Sequence, residues 1–220
     1  MSDPLVLRLL ALDCCAVSDA LDSLGLPAAV SGIGPLSVRR RIAGPVLTVR
    51  LGPEPPAGGS KRHLGTAAIE AAEPGSVILI EHASGVECAG WGGVLSAGAR
   101  IREVAGVVMS GPARDIDEAI ALEFPVYATQ AVARTARGRV YEQSFNQAIT
   151  ISGVPAEPGD YCLADSSGVV LISRKRCEEV VTRAERIAAR ERLMIEALQR
   201  GEPITTVVGR DYEDMLDQLD

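Results

Sequence analysis

The chain has 220 residues, 47% of them hydrophobic but only 3% aromatic, and a formal net charge of −7. That length fits one domain with a core of Ala, Val, Leu and Ile, and the acidic balance argues against broad nucleic-acid binding, which needs a basic face to neutralise phosphates. No run approaches the roughly 20 apolar residues that cross a bilayer, and Asp3, Arg8 and Asp13 interrupt any signal-peptide pattern, so no membrane partner and a cytoplasmic location are expected.

In chain order, a helix is predicted over 5–24. Val17, Leu21 and Leu24 share a face there, and Gly25 and Pro27 end the segment. A strand over 42–49 and a Pro/Gly loop over 53–59 precede a helix over 60–73, with Leu64, Ala67, Ala68 and Ala71 on one side. Pro74-Gly75 turns into a strand over 76–80. A glycine-rich loop ending in Gly90-Trp91-Gly92-Gly93 leads to a small-residue helix over 94–104, then a strand over 106–109 and a short helix over 116–122. Strands are expected over 125–128, 138–141 and 148–151, and a hairpin pairs 161–164 with 169–172 around Asp165-Ser166-Ser167-Gly168. A charged helix over 174–200 offers Val180, Ala184, Ile187, Leu193 and Leu198 as buried positions, with Gly201 as its stop. It packs on its own domain or reaches to another subunit. The order implies an α/β fold with a mixed sheet.

Cys14, Cys15, Cys88, Cys162 and Cys177 are odd in number and scattered, with no CxxC and no Cys/His zinc spacing, so they are read as reduced small hydrophobes. His63 and His82 are the only histidines, and neither accompanies a nucleophile-elbow motif. His82 is read as a satisfied loop residue or a base.

Chemistry concentrates where Val107-Val108-Met109 gives way to Ser110-Gly111-Pro112, followed by Arg114 and Asp115. Ligands of open α/β sheets gather beyond the carboxyl ends of strands. Arginine grips a carboxylate with a planar fork, and aspartate offers hard oxygens suited to Mg²⁺. The alternative is a turn-capping Asp beside a surface Arg. Gly90, Gly92 and Gly93 leave the backbone uncovered, and Val94 and Leu95 open a helix whose first N–H groups and dipole favour an anion. A carboxylate held between those amides and Arg114, with a metal on Asp115 as Lewis acid, would stabilise an enolate as a carbon–carbon bond breaks. Trp91 is read as a plug of core or interface, Asp165 as an Asx-type turn, and Glu87 as a loop carboxylate, solvated or approaching a ligand.

These segments, 18–21, 68–75, 91–95, 106–115, 158–160 and 164–169, resemble the RraA-like family. That family includes the metal-dependent 4-hydroxy-4-methyl-2-oxoglutarate / 4-carboxy-4-hydroxy-2-oxoadipate aldolases. The resemblance implies a single domain over 1–220 with a compact swivelling β/β/α-type α/β fold and a long C-terminal helix. It also implies a homotrimer, or a hexamer of two trimers, with sites at subunit interfaces. By that likeness Arg114 binds the pyruvyl carboxylate, Asp115 holds Mg²⁺ or Mn²⁺, and the amides of Val94 and Leu95, with Gly92 and Gly93 beside them, complete the substrate site. Glu191 from a neighbour's helix approaches the metal-bound water. Two positions depart from the aldolases: Gly93 stands where they carry an acidic residue, and Ser110 replaces the first Asp of D-G-x-x-R-D. A lost acid/base group removes about 10²–10⁴ in rate.

The expected function is a divalent-metal-dependent lyase acting on a small pyruvyl-containing oxo acid, by retro-aldol cleavage or oxaloacetate-type decarboxylation. The alternatives are a non-catalytic regulator of RNase E-type activity, or a changed reaction because of Gly93. Methyl transfer is disfavoured, since no suitable glycine-rich nucleotide loop is present.

Overall fold

The computed structural model describes residues 3–27, 29–56 and 63–209. Two helices open the chain where one was expected over 5–24. Asp3 caps α1 (Pro4–Leu10), accepting from Leu5 N at 2.9 Å. Asp13 caps α2 (Cys14–Ser23), accepting from Ala16 N at 2.8 Å. Each carboxylate satisfies a donor that a helix start leaves orphaned, so each aspartate begins its own helix.

The rest winds around one sheet. Its strands in chain order are β1 (Gly34–Pro35), β2 (Ile42–Gly52), β3 (Val77–His82), β4 (Gly106–Met109), β5 (Val126–Ala128), β6 (Tyr141–Phe145), then β9 (Tyr161–Asp165) and β10 (Gly168–Ile172), which follow the small hairpin β7 (Ile149–Ile151) and β8 (Val154–Ala156). Helices α3 (Thr66–Ala71), α4 (Gly93–Ile101) and α5 (Ile116–Ala121) connect the parallel strands β2, β3, β4 and β5. The first half of β2 pairs antiparallel with β9, Ile42 opposite Ala164, and its end pairs antiparallel with β6, Val49 opposite Phe145. A bridge between Val30 and Val169 draws β10 toward the segment leading into β1, which lies on the far edge against β5. The sheet thereby nearly closes into a barrel.

Alternation along the strands sorts side chains to two sides. Val77, Leu79, Val108, Cys162 and Val169 point into the barrel, where Ile149 and Ile151 plug it. Ile78, Ile80, Val107 and Met109 point outward to the helices that carry the cleft. Tyr127 spans the interior, its hydroxyl donating to Arg40 O at 2.7 Å and within 3.3 Å of Ala164 O, and burial pushes its phenol up. The buried aromatic is tolerated because its polar tip finds acceptors.

Helix α6 (Cys177–Gln199) packs its first half on α2 and the β9–β10 hairpin, with Val180, Ala184 and Ile187 fully buried. The second half departs from expectation: Leu193 is 63% exposed and Leu198 only partly covered. Ala197 is buried in this half, so the amphipathic pattern continues, but among the described residues little packs against Leu193. A short α7 (Ile204–Val207) follows.

The helix expected over 60–73 is helical only from Thr66; 60–62, like 57–59 of the Pro/Gly loop, lie outside the described residues. Residues 137–139 turn, with Gly138 at φ +72°, so the strand expected over 138–141 begins at Tyr141. Strands β1 and β8 were not expected; two and three residues carry too little periodicity to register. Among the described residues no helix is long and apolar enough to cross a membrane.

Candidate active site

Two loops leave the carboxyl ends of β3 and β4 and meet. Gly90 N donates to Pro112 O at 2.9 Å and Arg114 N to Trp91 O at 3.0 Å. Ala113 then bridges on to Ala131, and Ala89 to Thr135, so a third loop joins the array. The close approach requires Gly90: a Cβ there would meet Met109 Cε at 2.7 Å and His82 Cδ2 at 2.9 Å.

Arg114 and Asp115 come together in this array. Asp115 takes a left-handed backbone, φ 56° and ψ 45°, and its carbonyl accepts from Ala119 as α5 begins. Asp is among the few side chains that tolerate this region. Asp115 Oδ2 lies 3.3 Å from Arg114 Nε and accepts from Gly93 N at 2.9 Å. Gly92 is open for the same reason, since a Cβ there would stand 2.8 Å from Asp115 Oδ2. Both side chains stay partly exposed, at 40% and 35%.

Helix α4 begins at Gly93, one residue earlier than expected. The N–H groups of Val94 and Leu95 have no acceptor among the described residues. Val94, Leu95 and Arg114 line a cleft of about 660 Å³, together with Trp91. Trp91 is buried, donates from Nε1 to Ser96 Oγ at 2.9 Å and stacks on Phe124 at 6.3 Å, which fits its reading as a core plug. An anion in this cleft would meet a helix N-terminus and a bidentate cation together.

Arg137, Tyr141 and Glu142 also line the cleft, and the sequence did not single them out. The available signals were the arginine run at 134, 137 and 139 and the strand that follows, but nothing local says that this stretch folds back over the glycine loop. Glu142 is held by Gly65 N, which donates to its Oε2 at 2.7 Å.

The other candidates sit elsewhere. His82 is wedged below the glycine loop. Its Nδ1 lies 3.3 Å from Ser84 Oγ while Nε2 is buried without a partner among the described residues, so it is not the fully satisfied residue expected. Burial holds its imidazole below the usual range. Glu87 is exposed and accepts from Gln130 Nε2 at 2.9 Å. Ser110 Oγ lies 3.4 Å from His82 N. Asp165 makes the expected Asx turn, Oδ1 accepting from Ser167 N at 2.8 Å. Glu191 is not among the residues lining the cleft of its own chain; its carboxyl is pushed up by burial and by Asp13 and Asp19, which places it beside α2. All five cysteines are free; Cys14, Cys88, Cys162 and Cys177 are buried, and burial pushes the thiols of Cys162 and Cys177 up to about 12, as in inert packing residues, whereas Cys15 is exposed and is not a core hydrophobe.

Among the described residues no group of three or more His, Cys, Asp or Glu side chains is placed to hold a metal ion. The carboxylate paired with Arg114 is Asp115, whose Oδ2 is already engaged and whose Oδ1 has no protein partner among the described residues; Glu142 lines the same cleft. That set fits Mg²⁺ or Mn²⁺ only if a ligand and water fill the remaining positions, as Mg²⁺ sites built with substrate do.

A family model described as RraA-like, Aldolase/RraA, matches residues 14–171. A protein of Halalkalibacterium halodurans named "Putative 4-hydroxy-4-methyl-2-oxoglutarate aldolase" is 32% identical over 170 residues, 77% of each chain. Protein DlpA of Legionella pneumophila subsp. pneumophila is 31% identical over 84% of this chain, and the chain spans only 30% of DlpA. The crystal structure of an uncharacterized protein from Pseudomonas syringae pv. tomato superposes with a TM-score of 0.84 at 28% identity, covering 95% of this chain and 98% of that one. On the family match over residues 14–171 this chain belongs to the RraA-like family.

Proposed function

We propose that this chain is a divalent-metal-dependent carbon–carbon lyase acting on a small pyruvyl-containing oxo acid, by retro-aldol cleavage or by decarboxylation of an oxaloacetate-type substrate. The observation that carries the reading is the Arg114–Asp115 pair in one cleft with Val94 and Leu95, whose helix amides have no acceptor among the described residues. Arg114 binds the carboxylate next to the oxo group through two charge-assisted hydrogen bonds. Val94 N and Leu95 N hold the same end of the substrate and fix its orientation. Asp115 would hold Mg²⁺ or Mn²⁺, which when bound supplies Lewis-acid stabilisation of negative charge on the oxo oxygen. Gly93 N and Arg114 keep Asp115 in place. The name of the Halalkalibacterium halodurans relative supports the substrate class.

The same reading extends to assembly. The uncovered Leu193 and Ile195 of α6, 63% and 54% exposed, support an oligomer, a trimer or hexamer, in which Glu191 reaches a neighbour's cleft. Light scattering gives the mass that tests it.

Pyruvate release from oxaloacetate and from branched 4-hydroxy-2-oxo acids, assayed with Mg²⁺ or Mn²⁺, tests the reaction. Metal-dependent turnover that Arg114→Ala abolishes supports it. Absence of turnover on every such acid, with either metal, contradicts it.

A further inference from the structure

A cleft that only binds and polarises an oxo acid does not complete a lyase reaction, because a proton must leave one site and arrive at another. Among the described residues the acid–base side chains lining the cleft are few. Asp115 already receives Gly93 N and Arg114 Nε on one oxygen, and the function proposed above gives its charge to a metal. His63 is exposed at the rim, its Nδ1 occupied by Leu64 O at 3.1 Å. Tyr141 and Glu142 come from β6, on the wall formed where β6 pairs with the end of β2.

Glu142 differs from the others in how it is held. It is half-buried, its backbone is fixed in a strand opposite Leu51, and Gly65 N anchors Oε2 at 2.7 Å. Oε1 has no protein partner among the described residues. One oxygen fixed and the other without a partner among the described residues is an arrangement suited to a carboxylate that exchanges a proton. Gly93, beside the amide donors, brings no side chain to share the task. A Cβ there would press on Asp115 Cβ at 3.2 Å and Glu118 Cβ at 3.3 Å.

We propose that Glu142 is the proton carrier of this cleft. The assignment rests on the lyase reading. In retro-aldol cleavage, the Glu142 carboxylate takes the proton of the substrate's 4-hydroxyl. The oxygen's electron pair forms the product carbonyl as the C3–C4 bond breaks, and the bond's electrons pass into the enolate of pyruvate. The carboxylic acid so formed returns its proton to C3, the enolate electrons form the new C–H bond, and the ketone and the Glu142 carboxylate are both regenerated. In decarboxylation the C3–C4 bond's electrons pass into the enolate as CO₂ leaves, and only the second half is needed; Glu142 then takes from solvent water the proton that it delivers to C3. Neither sequence needs an oxidant or a reductant.

The half-reaction at C3 is read directly by NMR as exchange of pyruvate methyl protons in D₂O with Mg²⁺ present. Pyruvate and oxalate affinities are measured beside it by calorimetry. Glu142→Gln is nearly isosteric and its amide oxygen still accepts from Gly65 N, so the wall is kept while the base is removed. The expected result is exchange slowed by about 10²–10⁴-fold, the usual worth of a general acid–base group, with oxalate affinity unchanged. Tyr141→Phe and His63→Ala are expected to exchange like the wild type. Three results overturn the assignment: exchange by Glu142→Gln at the wild-type rate, loss of exchange in His63→Ala or Tyr141→Phe instead, or a wild type that binds pyruvate and exchanges nothing. A wild type that binds neither pyruvate nor oxalate overturns the lyase reading and this assignment with it.

Discussion

The Nε of Arg114 stands 3.3 Å from Oδ2 of Asp115, although the two residues are consecutive in the chain. The left-handed backbone at Asp115 makes this possible, turning the chain into α5 while both side chains remain on the cleft. A left-handed conformation disfavours most side chains by roughly 1–2 kcal/mol but is tolerated by Asp and Asn. Asp115→Asn is therefore expected to keep the melting temperature of the parent while losing the effect of divalent metal on oxalate binding. Thermal melts and calorimetric titrations on the same samples check both halves.

A site with one protein carboxylate cannot hold Mg²⁺ tightly alone. Affinity for metal and for oxalate should therefore be coupled, each raising the other by the same factor, as linkage demands. Titrating Mg²⁺ with and without oxalate, and oxalate with and without Mg²⁺, measures the two factors. Metal that binds equally well in the absence of oxalate would point to ligands other than Asp115.

Gly92 carries a steric prediction. A Cβ there would lie 2.8 Å from Asp115 Oδ2 and 3.3 Å from Arg114 Nε. Gly92→Ala should push the carboxylate off Gly93 N and separate it from Arg114. Overpacking of this kind destabilises by about 1–3 kcal/mol. The measurement is a melt paired with an oxalate titration: the protein should still fold and should bind oxalate at least tenfold more weakly, about 1.4 kcal/mol.

Much of this site was legible in the sequence because its pieces are local. The Val107-Val108-Met109 run, the glycines before α4 and the adjacency of Arg114 and Asp115 each sit within a few residues, and strand-end chemistry connects them. The break between α1 and α2 was missed because helical spacing continues through Asp13, and only the cap reveals the boundary. Arg137, Tyr141 and Glu142 were missed for a different reason. They reach the cleft through the long-range pairing of β6 with β2, and no periodicity within the strand encodes its partner. Leu193 fits the apolar stripe of α6, yet it is 63% exposed among the described residues, because no periodicity within a helix encodes what covers it.

Asp165 ties α2 to the β9–β10 hairpin, with Oδ2 accepting from Cys14 N at 2.9 Å and Oδ1 from Ser167 N at 2.8 Å. Burial alone would push this carboxyl up, but the two backbone N–H groups, the Cys14 thiol and Arg41 hold it below the ordinary range. A group depressed in the folded state stabilises above its unfolded value, about 3.9, and that contribution is lost as pH falls through the folded value. Asp165→Asn should lower stability at neutral pH by about 1–3 kcal/mol and flatten the decline in acid. Urea unfolding between neutral and acidic pH checks both features.

The central claim is that Arg114 and a metal on Asp115 grip an oxo-acid carboxylate at the start of α4. Calorimetric titration of oxalate with Mg²⁺ into the parent chain and Arg114→Ala tests it most directly. The account predicts metal-dependent binding that weakens by roughly 10- to 150-fold in the variant, the loss expected for charge-assisted hydrogen bonds of about 1.5–3 kcal/mol. Equal oxalate affinity in the two proteins, or binding indifferent to Mg²⁺, would contradict it.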